Sequence, residues 1–192
     1  MRNGKKLFQN LGITLFPGCI LCIHGANGSG KTSLLRALIG LTPHNTGCIL
    51  YNDVNIYDAM DEYASIITYI GHHNALDLEL TVEQNLKFWA KLRNMQDAMI
   101  ASLEIFGLHD IMKTKVRCLS HGWQRRIELT KLLLTQTVVW FLDEPFANLD
   151  QDAVSILLEL VKTRCVNFGI VILTSQEPIQ LPEITNIMLE IL

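Results

Sequence analysis

Eight consecutive residues constrain this chain more than any others: Gly25-Ala26-Asn27-Gly28-Ser29-Gly30-Lys31-Thr32, set directly after the apolar run Gly18-Cys19-Ile20-Leu21-Cys22-Ile23-His24. The spacing of glycine, four residues and Gly-Lys-Thr has meaning only between a strand and a helix, and the flanks read as both. A phosphate chain is held by backbone N–H groups converging on its oxygens, a point positive charge near the terminal phosphates, and a hydroxyl that holds Mg²⁺. Gly25, Gly28 and Gly30 let the backbone turn tightly and come close to the phosphates. Lys31 supplies the ammonium, and Thr32, followed by Ser33, brings the hydroxyl to the positive end of a helix.

The rest of the chain reads as an α/β core with a helical lobe set into it. Lys6 to Phe16 alternates loosely and predicts a strand leading to the turn at Pro17-Gly18. Leu34, Leu35, Leu38, Ile39 and Leu41 recur at helical spacing, and Gly40 with Pro43 marks the stop. Two short strands joined at Asn52-Asp53 predict a small antiparallel part, and Ile66 to Ile70 a further strand. Thr81 with Gln84 forms a capping box for a helix to about Arg93, with Phe88 and Trp89 expected in packed core in preference to a docking surface. A second helix runs from Asp97 to Gly107. Two successive helices with no strand between them break the βα alternation and place a helical subdomain at about 76–125.

Ser120 caps a helix from His121 to about Thr135, with Arg125, Arg126 and Lys131 on its polar side. Val138-Val139-Trp140-Phe141-Leu142 is continuously apolar, as a strand buried on both faces of a parallel sheet must be. Asp150 caps the next helix, Gly169 to Thr174 is another buried strand, and Ile184 to Ile191 closes the sheet.

At 192 residues the chain suits one domain and buries about 70% of its unfolded surface without disulfides. Sixteen Lys and Arg face 19 Asp and Glu with no long basic run, so no footprint for nucleic acid is expected. The five scattered cysteines read as free thiols in a reducing compartment. In a strand Cys19 and Cys22 face opposite sides, which argues against a redox or metal pair. Arg2, Lys5 and Lys6 before Leu11, Ile13, Leu15 and Phe16 imitate an export signal, but Pro17, Gly18 and the phosphate loop argue against one. No apolar run reaches the 18 or so residues of a membrane span, so any membrane link is expected to go through a partner.

Leu142-Asp143-Glu144-Pro145 sets two carboxylates at the carboxyl end of a parallel strand, where α/β ligands bind. Asp143 is placed to hold Mg²⁺ through its water shell. Glu144 is placed to polarise a water for attack on the terminal phosphate.

Leu119-Ser120-His121-Gly122-Trp123-Gln124, between the two nucleotide motifs, resembles the signature sequence of ABC ATPases. Taken with Asn148-Leu149-Asp150, the order of motifs resembles the ATP-binding subunits of ABC transporters over nearly the whole chain. Among them it is most similar to those of the haem exporter of cytochrome c biogenesis. Tyr69-Ile70-Gly71-His72, Glu79-Leu80-Thr81, Asn85-Leu86-Lys87-Phe88, Gln124-Arg125-Arg126-Ile127 with Leu129, and Val171-Ile172-Leu173-Thr174 carry that likeness.

The resemblance implies an α/β P-loop NTPase core with a mainly parallel sheet, a small antiparallel part and an inserted α-helical lobe. It implies ATP and Mg²⁺ as ligands, and a head-to-tail homodimer in which Ser120 and Gly122 reach the γ-phosphate held by the other protomer's Lys31. It also implies an integral membrane transporter subunit and haem-handling membrane proteins as partners, peripheral attachment at the cytoplasmic side of the inner membrane, and communication between the two sites through Asp150.

Departures from the family pattern are equally specific. His73 stands where the family carries a Gln that touches Mg²⁺, His121 replaces a Gly of the signature, and Trp123 replaces its Gln. Gln176 stands where a His contacts the γ-phosphate; an amide donates a hydrogen bond but carries no charge. Arg2 or Asn3 falls where an aromatic would stack on adenine. The expected activity is slow ATP hydrolysis with Glu144 as the essential carboxylate and Gln176 at the terminal phosphate. The alternatives are a nucleotide-switched assembly factor with little hydrolysis and an exporter subunit with another cargo.

Overall fold

The computed structural model describes residues 11–43, 46–179 and 184–189. The chain divides into two compact units. The first takes residues up to His72, Thr137–Pro145 and those from Thr163 onward; the second takes His73–Gln136 and Phe146–Lys162.

The first unit is built on a five-stranded sheet in the order β4-β5-β6-β1-β7, every neighbouring pair parallel. Its strands are β1 (Ile20–His24), β4 (Ile67–Ile70), β5 (Val139–Leu142), β6 (Ile170–Ser175) and β7 (Ile184–Met188). All four residues of β5 are buried, as expected of a strand covered on both faces. The helix α1 (Lys31–Leu38) sends Leu34 and Leu35 into a core with Leu21, Ile23, Val139, Phe141 and Ile172. It stops where Gly40 turns left-handed at φ 78°. The hairpin of β2 (Leu50–Tyr51) and β3 (Val54–Asn55) has Asn52 and Asp53 both at positive φ, the geometry of a two-residue type I′ turn.

In the second unit, α3 (Val82–Leu92) starts at the expected capping box. The Thr81 hydroxyl accepts from the Gln84 N–H at 3.2 Å, and the Gln84 side chain accepts from the Thr81 N–H at 2.9 Å. α4 (Met99–Ile105) and α5 (His121–Thr130) follow, and α6 (Gln151–Val166) belongs to this unit as far as Lys162. Val82, Leu86, Leu103, Phe106 and Ile127 are fully buried here.

Several expectations are corrected. Of the strand expected over Lys6 to Phe16, residues 1–10 lie outside the described residues, and 11–16 form no strand. α2 (Met60–Ile66), with Tyr63 buried and its hydroxyl donating to the Leu38 carbonyl at 2.9 Å, carried no sequence signal we read. The helix expected from Asp97 begins as a 3₁₀ turn, Gln96–Ala98. The one expected to reach Thr135 ends at Thr130 and continues as 3₁₀ helix Lys131–Leu134. β7 runs Ile184–Met188, and the end expected for it at Ile191 lies outside the described residues. Phe88 is 61% exposed rather than packed in core.

Arg125 and Lys131 are buried, not on a polar face. Each has polar groups waiting for it: Lys131 Nζ donates to the Ala75 carbonyl at 2.7 Å and to Glu128 at 2.8 Å, and its ammonium lies 4.2 Å from the centre of the Trp89 ring. Burial pulls the Lys131 ammonium below its ordinary value, and the Glu128 carboxylate opposes that. Arg125 reaches Asn74 Oδ1 at 3.3 Å.

Candidate nucleotide-binding site

The phosphate loop hangs between the end of β1 and the start of α1, as its sequence required. Gly25 is buried at φ 153°, where a Cβ would overlap the Leu189 carbonyl and lie 3.1 Å from Ser29 Oγ, so no larger residue fits. The cap residue of α1, Gly30, is left-handed and offers no side chain to the first-turn N–H groups, and no acidic residue stands in that turn. Those donors keep the positive end of the helix available to an anion. Ala26, Asn27 and Gly28 are exposed, Thr32 and Ser33 half-buried. Ser29 Oγ is buried and makes no hydrogen bond among the described residues. Glycine backbone, uncapped helix start and unbonded hydroxyl suit a phosphate chain.

Lys31 is 5% exposed, yet its ammonium is fully engaged. It donates to the carbonyls of Gly25 at 2.7 Å and Ala26 at 3.2 Å, and pairs with Glu144 Oε1 at 3.5 Å. Glu144 Oε2 lies 3.8 Å from Nδ1 of His72. The expected neighbourhood of loop and acidic pair is therefore present, with β6 between β5 and β1. Asp143 is wholly buried, its N–H donating to the Ile70 carbonyl at 2.8 Å and its Oδ1 accepting the Thr174 hydroxyl at 2.7 Å. Thr32 and Asp143 are the hydroxyl and carboxylate that suit a hard cation. Gln176 lies exposed one residue past β6.

His73, Ser120, Gly122 and Asp150 belong to the second unit. His73 is exposed. Ser120 caps α5, its hydroxyl accepting from the Trp123 N–H at 3.4 Å. A Cβ on Gly122 would sit 2.9 Å from the Asn148 carbonyl, so this glycine is required for close packing as well as for any contact with an anion. Asp150 accepts the Ala153 N–H at 3.0 Å and pairs with Arg126, whose guanidinium lies 4.8 Å from the centre of the Trp123 ring. The Ala153 N–H first, then Arg126, hold the Asp150 carboxyl below the usual range. Arg2 and Asn3 lie outside the described residues.

Sequence reasoning gave Thr174 no role and did not foresee His72 beside Glu144. The hydroxyl that closes the apolar run Val171-Ile172-Leu173, just before Ser175, was the signal available for the first. Nothing local marked the second.

Residues 8–147 match the ABC transporter family. The chain is 42% identical to the cytochrome c biogenesis ATP-binding export protein CcmA of Wolbachia pipientis, over 90% of this chain and 84% of that protein. It is 38% identical to the protein of the same name from Albidiferax ferrireducens, over 99% and 92%. Among solved structures, an ABC transporter ATP-binding protein from Pyrococcus furiosus superposes with a TM-score of 0.84 at 28% identity, covering 97% of this chain and 92% of that one.

Proposed function

The chain belongs to the ABC transporter family of ATP-binding proteins, and on that premise we propose that it is the ATP-hydrolysing subunit of a membrane complex serving cytochrome c biogenesis, with haem as the species exported or handled. The observation that carries the hydrolytic reading is the approach of Glu144 to Lys31, 3.5 Å apart at the carboxyl ends of a parallel sheet. The names of its relatives support the cytochrome c setting.

The chemistry follows from the residues. The amino terminus of α1 and the loop N–H groups receive the phosphate oxygens, and Lys31 exchanges its loop carbonyls for the terminal phosphates. Thr32 and Asp143 would hold Mg²⁺. Held there, the ion would supply positive charge that offsets the negative charge of the terminal phosphates. Glu144 orients the attacking water and takes up its proton. Gln176 donates an amide hydrogen bond to the terminal phosphate.

Ser120 and Gly122 complete the site from a second protomer, so the working form is a homodimer through the ATP sites. It is joined to an integral membrane subunit (CcmB-like), peripherally, on the cytoplasmic side of the inner membrane. No described helix is long and apolar enough to cross a membrane. A helical lobe at about 76–125 is the part proposed to meet the membrane subunit, a reading supported by the exposed Phe88 and Leu92, one helical turn apart on α3.

Turnover of the protein with its membrane partner, compared with Glu144→Gln, tests the reading. Loss of turnover is expected, and unchanged turnover would remove Glu144 from its role. Deletion of the gene is expected to abolish c-type cytochromes; normal cytochromes would remove the haem assignment. A nucleotide switch with little hydrolysis is the second reading, favoured by Gln176 in place of histidine, and turnover near zero in the intact complex would select it.

A further inference from the structure

The register of β5 against β6 pairs Leu142 with Leu173, so the next residue of each strand, Asp143 and Thr174, come side by side at the sheet's carboxyl end. Thr174 is wholly buried. A hydroxyl taken out of water is tolerated only when its bonds are made. Here it makes two, in opposite senses: it donates to Asp143 Oδ1 at 2.7 Å and accepts the backbone N–H of Glu144 at 2.8 Å. A backbone N–H only donates and an ionised carboxylate only accepts, so the orientation of the hydroxyl is fixed.

The bond to Glu144 falls at an unusual place in the backbone. Glu144 has φ 45°, a left-handed conformation that side chains other than glycine rarely adopt and that persists only where the surroundings hold it. That turn brings the Glu144 carboxylate to Lys31. One buried hydroxyl thus fixes the Asp143 carboxylate and also ties down the turn that aims Glu144.

We propose that Thr174 is a positioning residue for the hydrolytic site, its hydroxyl setting Asp143 and Glu144 together in the places their roles require. The proposal rests on the roles given to Asp143 and Glu144 above. Valine would fill the same volume and keep the β-branched shape suited to a strand, while offering neither bond. Serine would keep both bonds and lose a methyl group.

The test uses the full chain with its membrane partner and begins by establishing that Glu144→Gln abolishes turnover. Thr174→Val is then expected to lower kcat by about 10- to 100-fold, the usual effect of losing an outer-shell partner, with the KM for ATP little changed. A fluorescent ATP analogue titrated with and without Mg²⁺ gives a readout independent of turnover. Thr174→Val should reduce the gain in affinity that Mg²⁺ confers and leave Mg²⁺-free binding intact, and Thr174→Ser should restore both quantities.

A valine variant with wild-type kcat and a wild-type Mg²⁺ gain overturns the proposal while leaving the function of the site in place. So does a serine variant as impaired as the valine one, since packing would then be what matters. If Glu144→Gln itself has no effect, the assignment of Glu144 fails and the proposal with it. Should Thr174→Val not fold, Thr174→Ala, which removes the same hydroxyl, is read in its place.

Discussion

Lys31 is buried, with its donors already bonded inside its own loop and to Glu144, so its ammonium is desolvated and aimed before any phosphate arrives. Charge-assisted bonds of this kind contribute about 1.5–3 kcal/mol. Lys31→Met should therefore weaken ATP binding by roughly 10- to 100-fold, measured by nucleotide titration. Lys31→Arg should not rescue it, because a planar fork cannot replace a point charge in the same loop. Gly25→Ala should be equally damaging for a steric reason, since the new Cβ would collide with the Leu189 carbonyl. Asp150 makes a prediction in pH. Its carboxyl is held below the usual range by Ala153 and Arg126, so its contribution to stability is present above the unfolded value and lost as pH falls through the folded one. Thermal melts of the wild type and Asp150→Asn should differ at neutral pH and converge progressively below about pH 4.

At the scale of elements, sequence was most legible where a local rule was strong. The phosphate loop with its flanking strand and helix, the Thr81 capping box and the wholly apolar β5 all follow from spacing and composition. It was least legible where a distant partner decides. Periodicity placed Lys131 and Arg125 on a polar face because nothing in the helix itself tells that Ala75, Glu128 and Asn74 will meet them. α2 is short, and its cap residue, Ala59, has no side chain that could cap it, so it carried no start signal. Phe88 looked like core because hydrophobicity does not say which face of α3 is left uncovered. The Glu128–Lys131 pair gives the element-scale prediction. Both side chains are nearly inaccessible, and removing one partner strands a buried charge. Lys131→Met alone should cost about 3–5 kcal/mol in urea unfolding, and the double variant with Glu128→Gln should recover most of it.

For the molecule as a whole, the proposed composite site makes association depend on nucleotide. Glu144→Gln with Mg²⁺ and ATP should sediment as a dimer, and Ser120→Arg in that background should return it to monomer, read by analytical ultracentrifugation. The parallel sheet has a further consequence, in the order of synthesis. β1, which carries the phosphate loop, takes both of its neighbours, β6 and β7, from the last part of the chain. Contacts between such distant segments close late. As the polypeptide leaves the ribosome, the loop emerges early and waits, and a chain interrupted before Ile170 would contain every residue of the loop and neither strand that holds it in place. Binding of ATP is therefore expected to need β6 and β7 as well as the motif, and a product truncated before Ile170 is expected to fail in a nucleotide titration although it carries the motif intact.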